Sequence, residues 1–124
     1  MASRYRVVLV TVPGKKEGQK IAQGLVSQKL AACVNILPGV ESTYRWKNKV
    51  ETSSELLLVI KTQRALMDNV ISYVKQNHPD EVCEVISLPI MEGNKSYLEW
   101  IGASTNLAVP MHELDEEGLD KEVG

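Results

Sequence analysis

Residues 32–62 read ACVNILPGVESTYRWKNKVETSSELLLVIKT, and the fold turns on them. Val34 and Ile36 share one face before Pro38 and Gly39 impose a bend or bulge. Val40, Ser42, Tyr44 and Trp46 then share a face, and Lys47, Asn48 and Lys49 form a hairpin tip, since Asn tolerates the left-handed conformation tight turns require. On the return, Leu56, Leu58 and Ile60 alternate with Leu57 and Val59, so the second half of this strand is covered on both faces while its first half is polar. Arms of about 13 residues reach roughly 43 Å, whereas a helix of about 15 residues covers ~22 Å. Half of the ribbon therefore overhangs. Its edge groups lack partners and an isolated hairpin is marginal, so the overhang bearing Tyr44 and Trp46 is expected to pack on a second subunit, unless the Pro38 bend folds it back.

Outward from the hairpin, Val7, Val8, Leu9 and Val10 mark a covered strand over 4–12, stopped by Pro13 and Gly14. Ile21 with Leu25, and Ala22 with Val26 and Leu30, recur at spacing four and predict a helix over 16–30, weakened at Gly24. Leu66, Val70 and Val74, with Met67 and Ile71, predict a second helix, ended by Asn77, His78 and Pro79. A last strand is expected over 82–88, and Asn94 caps a third helix carrying Tyr97, Leu98 and Ile101 on its apolar side. The order βαββαβ plus one helix is an α+β arrangement, met by a ferredoxin-like plait: two helices on one face of a four-stranded antiparallel sheet. The second and fourth strands are then opposite edges, too far apart for Cys33 and Cys83 to bond within one subunit.

The chain has 124 residues, 44% of them hydrophobic and 24% charged, which suits one domain, placed at 1–110. Residues 111–124 hold six acids against Lys121, a net of −5 within the overall −2, and predict a flexible acidic tail. The remaining +3 is no nucleic-acid footprint, and no apolar run is long enough for a membrane span or signal segment. A cytoplasmic protein with two reduced cysteines is expected.

Several segments together resemble the CutA divalent-cation-tolerance family: Lys29-Leu30-Ala31-Ala32-Cys33-Val34-Asn35, Tyr44-Arg45-Trp46, Glu55 with Lys61-Thr62, His78-Pro79, and Tyr97-Leu98-Glu99-Trp100-Ile101. The resemblance spans about residues 6–101. It implies a homotrimer built by strand pairing between ferredoxin-like subunits, and a role in tolerance of copper or another divalent cation. Three departures stand out. Asn48 replaces a frequent Gly at the hairpin tip, and His78-Pro79-Asp80-Glu81 stands where the family often has His-Pro-Tyr-Glu. Members tied to copper carry a cysteine at the position of Val10 and a second histidine at that of Asn77, so only His78 of that site remains.

The metal donors available are His78, Cys33, Cys83 and His112, of which His78 and Cys33 are the candidates for weak Cu2+ binding. Each has a plainer role open to it: Cys33 as a small core residue among Ala31, Ala32 and Val34, His78 as a partner for the last helix carbonyls. Tyr44 and Trp46 on the overhang, with Glu55, Lys61, Glu84 and Tyr97 as polar groups on or next to otherwise buried elements, are candidates to line a cleft between subunits. Gly14, Lys15 and Lys16 at a helix N-terminus suggest an anion site, which supports an alternative: a PII-like trimeric sensor or scaffold holding a small anionic ligand. No nucleophile or acid/base pair stands in a recognisable setting, so neither an enzyme nor an organic cofactor is expected. An RNA-binding plait would want aromatics on its central strands, and 50–62 has none.

Overall fold

The computed structural model describes residues 3–106, which run β1 (Tyr5–Val12), α1 (Lys15–Ser27), β2 (Cys33–Trp46), β3 (Lys49–Gln63), a 3-10 turn (Arg64–Leu66), α2 (Met67–Asn77), β4 (Ile86–Pro89) and α3 (Lys95–Ser104). The strands form one antiparallel sheet in the order β2-β3-β1-β4. This is the expected plait, with β2 and β4 at opposite edges and Cys33 and Cys83 as free thiols. The acidic tail and His112 lie outside the described residues.

Alternation decides which face of the sheet the helices cover. Val8, Val10 and Val12 of β1 and Leu58 and Ile60 of β3 are fully buried, against Ile21 and Leu25 of α1 and Val70 and Val74 of α2. Each such side chain contributes roughly 1.5–3 kcal/mol by leaving water. Close approach of α1 needs small residues. A Cβ at Gly18 would stand 3.2 Å from Val12 Cγ2, and one at Gly24 would stand 1.6 Å from Tyr73 Oη and 2.4 Å from its Cζ. Gly24, unfavourable for the helix in isolation, is thus the seat of the α2 tyrosine. Gly24→Ala is expected to lower stability, because about 1–3 kcal/mol of overpacking outweighs about 1 kcal/mol of improved helix propensity. In a Tyr73→Leu background the same change should be close to neutral, which thermal melts of the four variants would read.

α1 ends three residues earlier than its apolar spacing suggests. Lys29 adopts φ 62°, its N–H donates to Val26 O (3.0 Å), and Leu30 N–H donates to Leu25 O (2.9 Å). These are the two bonds of a Schellman C-cap, with Leu30 folding back toward Leu25. The signal was hidden because lysine occupies the left-handed position where glycine is usual. Lys29→Gly is therefore expected to raise stability by about 0.5–1 kcal/mol, seen as a higher denaturation midpoint.

The hairpin is as long as its sequence implies. β1 pairs with β3 only from Tyr5↔Gln63 to Val12↔Leu56, so the seven pairs from Val40↔Glu55 to Trp46↔Lys49 have no third strand. At about 3.3 Å per residue this ribbon projects roughly 23 Å. Lys47 and Asn48 both have positive φ (49° and 67°), the two-residue turn whose twist matches the flanking strands. The expected bulge falls at Pro38 and Gly39, where the register shifts between Leu37 and Val40 and Gly39 takes φ 78°.

β4 is shorter than the expected 82–88. It pairs with β1 only from Arg6↔Pro89 to Leu9↔Ile86. The next acceptor along that edge of β1, Thr11 O, is bonded instead to His78 Nε2 at 2.7 Å. A side chain takes the place of a strand, and residues 82–85 leave the sheet.

α3 covers one end of the face turned away from α1 and α2. Asn94 caps it, accepting from Ser96 N–H at 3.1 Å, as its sequence suggests. Gln63 fastens its other end: Nε2 donates to Thr105 Oγ1 (2.6 Å) and Thr105 O (3.2 Å), while Oε1 accepts from Arg4 Nε (2.9 Å). The rest of that face is open. By register it carries Leu37, Leu57, Val59, Leu9, Ile86 and Leu88 across all four strands. Leu37, Ile86 and Leu88 are 43%, 53% and 54% exposed, too much apolar surface in one place for a face meant for water.

Candidate functional site

The overhanging ribbon and the segment between α2 and β4 enclose a cleft of about 730 Å3. Alternation along the ribbon puts Tyr44 and Trp46 of β2 on the same side as Glu55 of β3. They form one wall, and Asp80, Glu81 and Glu84 form the other; Arg45 borders the cleft but alternates to the opposite side of the ribbon from Tyr44 and Trp46. The Tyr44 ring is held by a 2.7 Å hydrogen bond between its hydroxyl and Ser53 Oγ.

His78 sets the position of the second wall. Its side chain is wholly buried; Nε2–H donates to Thr11 O, and Nδ1 accepts from Asp80 N–H at 3.0 Å. An acceptor role at Nδ1 puts the ring proton on Nε2. The ring therefore has no lone pair left over. Asp80 Oδ2 lies 4.0 Å from Nδ1, so the loop turns back immediately after Pro79.

Cys33 belongs to a different place. It is level with Lys61 and Val7, whereas His78 binds at Thr11, four residues further along β1, a separation of at least about 13 Å along the strands. Around Cys33 stand Lys61, whose Nζ lies 4.0 Å from Sγ and also bonds Asn35 Oδ1, and the Tyr97 hydroxyl. Burial, and after it the neighbouring Cys33, raises Tyr97 above the usual tyrosine range. Cys83 packs against the main core.

Of the six residues expected to line a cleft between subunits, Tyr44, Trp46, Glu55 and Glu84 line this cleft within one chain, while Lys61 and Tyr97 gather around Cys33. Arg45, Asp80 and Glu81 were missed as cleft residues. The departure at Asp80 was visible, but nothing local in the sequence brings it opposite Glu55. His78 and Cys33, the two candidate metal donors, stand at separate places in the chain, and both ring nitrogens of His78 are hydrogen-bonded. Among the described residues no three His, Cys, Asp or Glu side chains converge as a metal would need. At the start of α1 Glu17 brings a carboxylate of the chain's own close to Gly14, its Oε1 2.8 Å from where a Cβ of that glycine would stand.

The same plait, with the same hairpin, is found among known proteins. A family model described as CutA1 divalent ion tolerance protein matches residues 6–104. The chain belongs to the CutA1 family. Its CutA relatives include the rice protein CutA 1, chloroplastic, 54% identical over 99 residues that make up 80% of this chain and 56% of that one. The divalent-cation tolerance protein CutA of Thermus thermophilus is 46% identical over 99 residues, 80% of this chain and 96% of that one. The crystal structure of CutA1 from Oryza sativa superposes with a TM-score of 0.81 at 51% identity, covering 85% of this chain and 96% of that one. The chain spans about half the length of the rice and Arabidopsis relatives it matches. The CutA1 description names tolerance of ions and no reaction. Among the described residues no helix is long and apolar enough to cross a membrane.

Proposed function

We propose that this chain serves divalent-cation tolerance as a cytoplasmic homotrimer, without enzymatic activity, holding copper or another divalent ion weakly at donors that neighbouring subunits bring together. The observation behind this reading is the open apolar sheet face with its projecting ribbon, a surface that a second and third copy would cover. Strand pairing is available too, since the long outer edge of β2 and the short outer edge of β4 lack partners within the described residues. Cys33, half-buried beside Lys61, is the soft donor that a subunit contact could complete. The plant relatives are named chloroplastic and the Archaeoglobus fulgidus structure periplasmic, so the compartment varies within the family.

Light scattering tests the assembly: a mass three times the 13.8 kDa of the chain is expected, and a monomer at micromolar concentration would undo the reading. Titration with Cu(II) tests the ion. Weak binding lost in Cys33→Ala is expected; binding unchanged in that variant would remove Cys33 from the site. The PII-like alternative, a small anion in the cleft, meets an unfavourable field from Glu55, Asp80, Glu81 and Glu84.

A further inference from the structure

The side of α1 turned to water is built in two halves. Lys15, Lys16, Gln19 and Lys20 stand toward its start and Gln23, Val26 and Ser27 toward its end, all of them exposed. The one acid of the helix, Glu17, is half-buried and lies against Gly14. Among the described residues no carboxylate comes within 4.0 Å of any of the three lysines. They also gather at the end where the helix dipole is positive, so a negative group is favoured there twice over.

The chain itself supplies such a group. α3 lies across the sheet from α1, but beyond Thr105 the backbone comes round to the end of α1, where Asn106 N–H donates to Lys29 O at 3.1 Å. Residues 107–124 therefore set out from the C-terminal end of that helix, and their order matches the helix read backwards. Leu107 to Met111 are uncharged and start at the uncharged end, where Val26 is 42% exposed. Six acids then follow between Glu113 and Glu122, against Lys121. Along the helix Lys20 and Lys15 stand about 13 and 21 Å from Lys29, at about 1.5 Å per residue. An extended chain leaving Asn106 brings Glu113 to about 23 Å, at about 3.3 Å per residue. Pro110 favours that course by keeping Val109 out of the helical region. The first carboxylate thus comes into reach where the lysines are.

We propose that residues 107–124 dock as an acidic strap along the exposed side of α1, with Leu107 to Met111 over Val26 and the carboxylates that follow at Lys20, Lys16 and Lys15. One exposed ion pair holds little, but here several act together, and the join at Asn106 keeps the strap at a local concentration on the order of millimolar. While docked it closes the lysine face to other anions. The helical layer is turned away from the open sheet face, so the strap leaves the proposed subunit contacts free.

A water-soluble carbodiimide, applied to the full-length protein at low ionic strength, joins a carboxylate to an amine only where the two touch. Mass spectrometry should place the links of the acids from Glu113 to Asp120 on Lys15, Lys16 and Lys20. Lys95 is the internal control: it is exposed at the start of α3, about 17 Å from Asn106 along that helix, but on the other side of the sheet. Linkage to Lys20 is expected to exceed that to Lys95 by about 5-fold or more, each scaled by its acetylation rate in protein whose six tail acids are replaced by their amides. In 1 M NaCl, where the screening length is about 3 Å, the excess should disappear. Equal linkage of Lys20 and Lys95 at low salt overturns the proposal, because an undocked segment reaches both. An excess that 1 M NaCl leaves intact overturns it too, since charge would then not be what docks the strap. So do links found only between chains, in protein reassembled from 15N-labelled and unlabelled material.

Discussion

Replacing His78 by alanine is expected to lower unfolding free energy by about 2–4 kcal/mol, a large share of the roughly 5–15 kcal/mol typical of a domain. The ring is fully buried and bonded at both nitrogens. Alanine leaves Thr11 O and Asp80 N–H without their partner, each at about 1–3 kcal/mol, and opens a cavity beneath the loop. His78→Gln should recover part of the loss, since a carboxamide can still donate to Thr11 O. Chemical denaturation of the three proteins in metal-free buffer, at one protein concentration, measures this. A histidine serving chiefly as a metal ligand predicts the contrary: near-normal stability without metal, with only ion binding lost. Because residues 79–84 form one wall of the cleft, His78→Ala should also weaken any ligand there without touching it.

The same residue shows where sequence reading stops. Its position after a helix suggested a local role with the last carbonyls of α2, but its partner is 67 residues away on β1. That bond is also why β4 begins at Ile86 and not near Val82, a boundary that the β-branched residues of 82–86 conceal. The left-handed lysine at position 29 had the same effect on α1, because a Schellman cap without glycine leaves no compositional mark. Features generated by periodicity were legible: the valines of β1, the spacing-four rows of α1 and α2, the Pro38-Gly39 bulge and the Asn94 cap. The cleft was partly legible. Tyr44 and Trp46 stand out as aromatics on a polar overhang and Glu55 and Glu84 as acids beside apolar segments, whereas Asp80 and Glu81 look like ordinary solvent-facing acids until folding sets them opposite the ribbon.

The second large effect concerns the open sheet face. Ile86→Asp combined with Leu88→Asp is expected to convert the proposed homotrimer to monomers. Both side chains are more than half exposed in the single chain, so the substitutions disturb little of the protomer's own core. In a packed interface each loses about 1.5–3 kcal/mol of apolar burial, and each new carboxylate meets Leu or Val with no partner, adding several kcal/mol. In the proposed closed trimer those losses repeat at every contact, so it should dissociate at all practical concentrations. Val26→Asp is the control: this valine is 42% exposed but sits on α1, behind the other face of the sheet. The control should keep the mass of the parent protein by light scattering while the double variant falls to 13.8 kDa. If Ile86→Asp with Leu88→Asp keeps the full mass, the subunits meet elsewhere, and the projecting ribbon with the β2 edge becomes the surface to cut next. If Val26→Asp dissociates it instead, the helical layer is the interface, and the open sheet face needs another explanation.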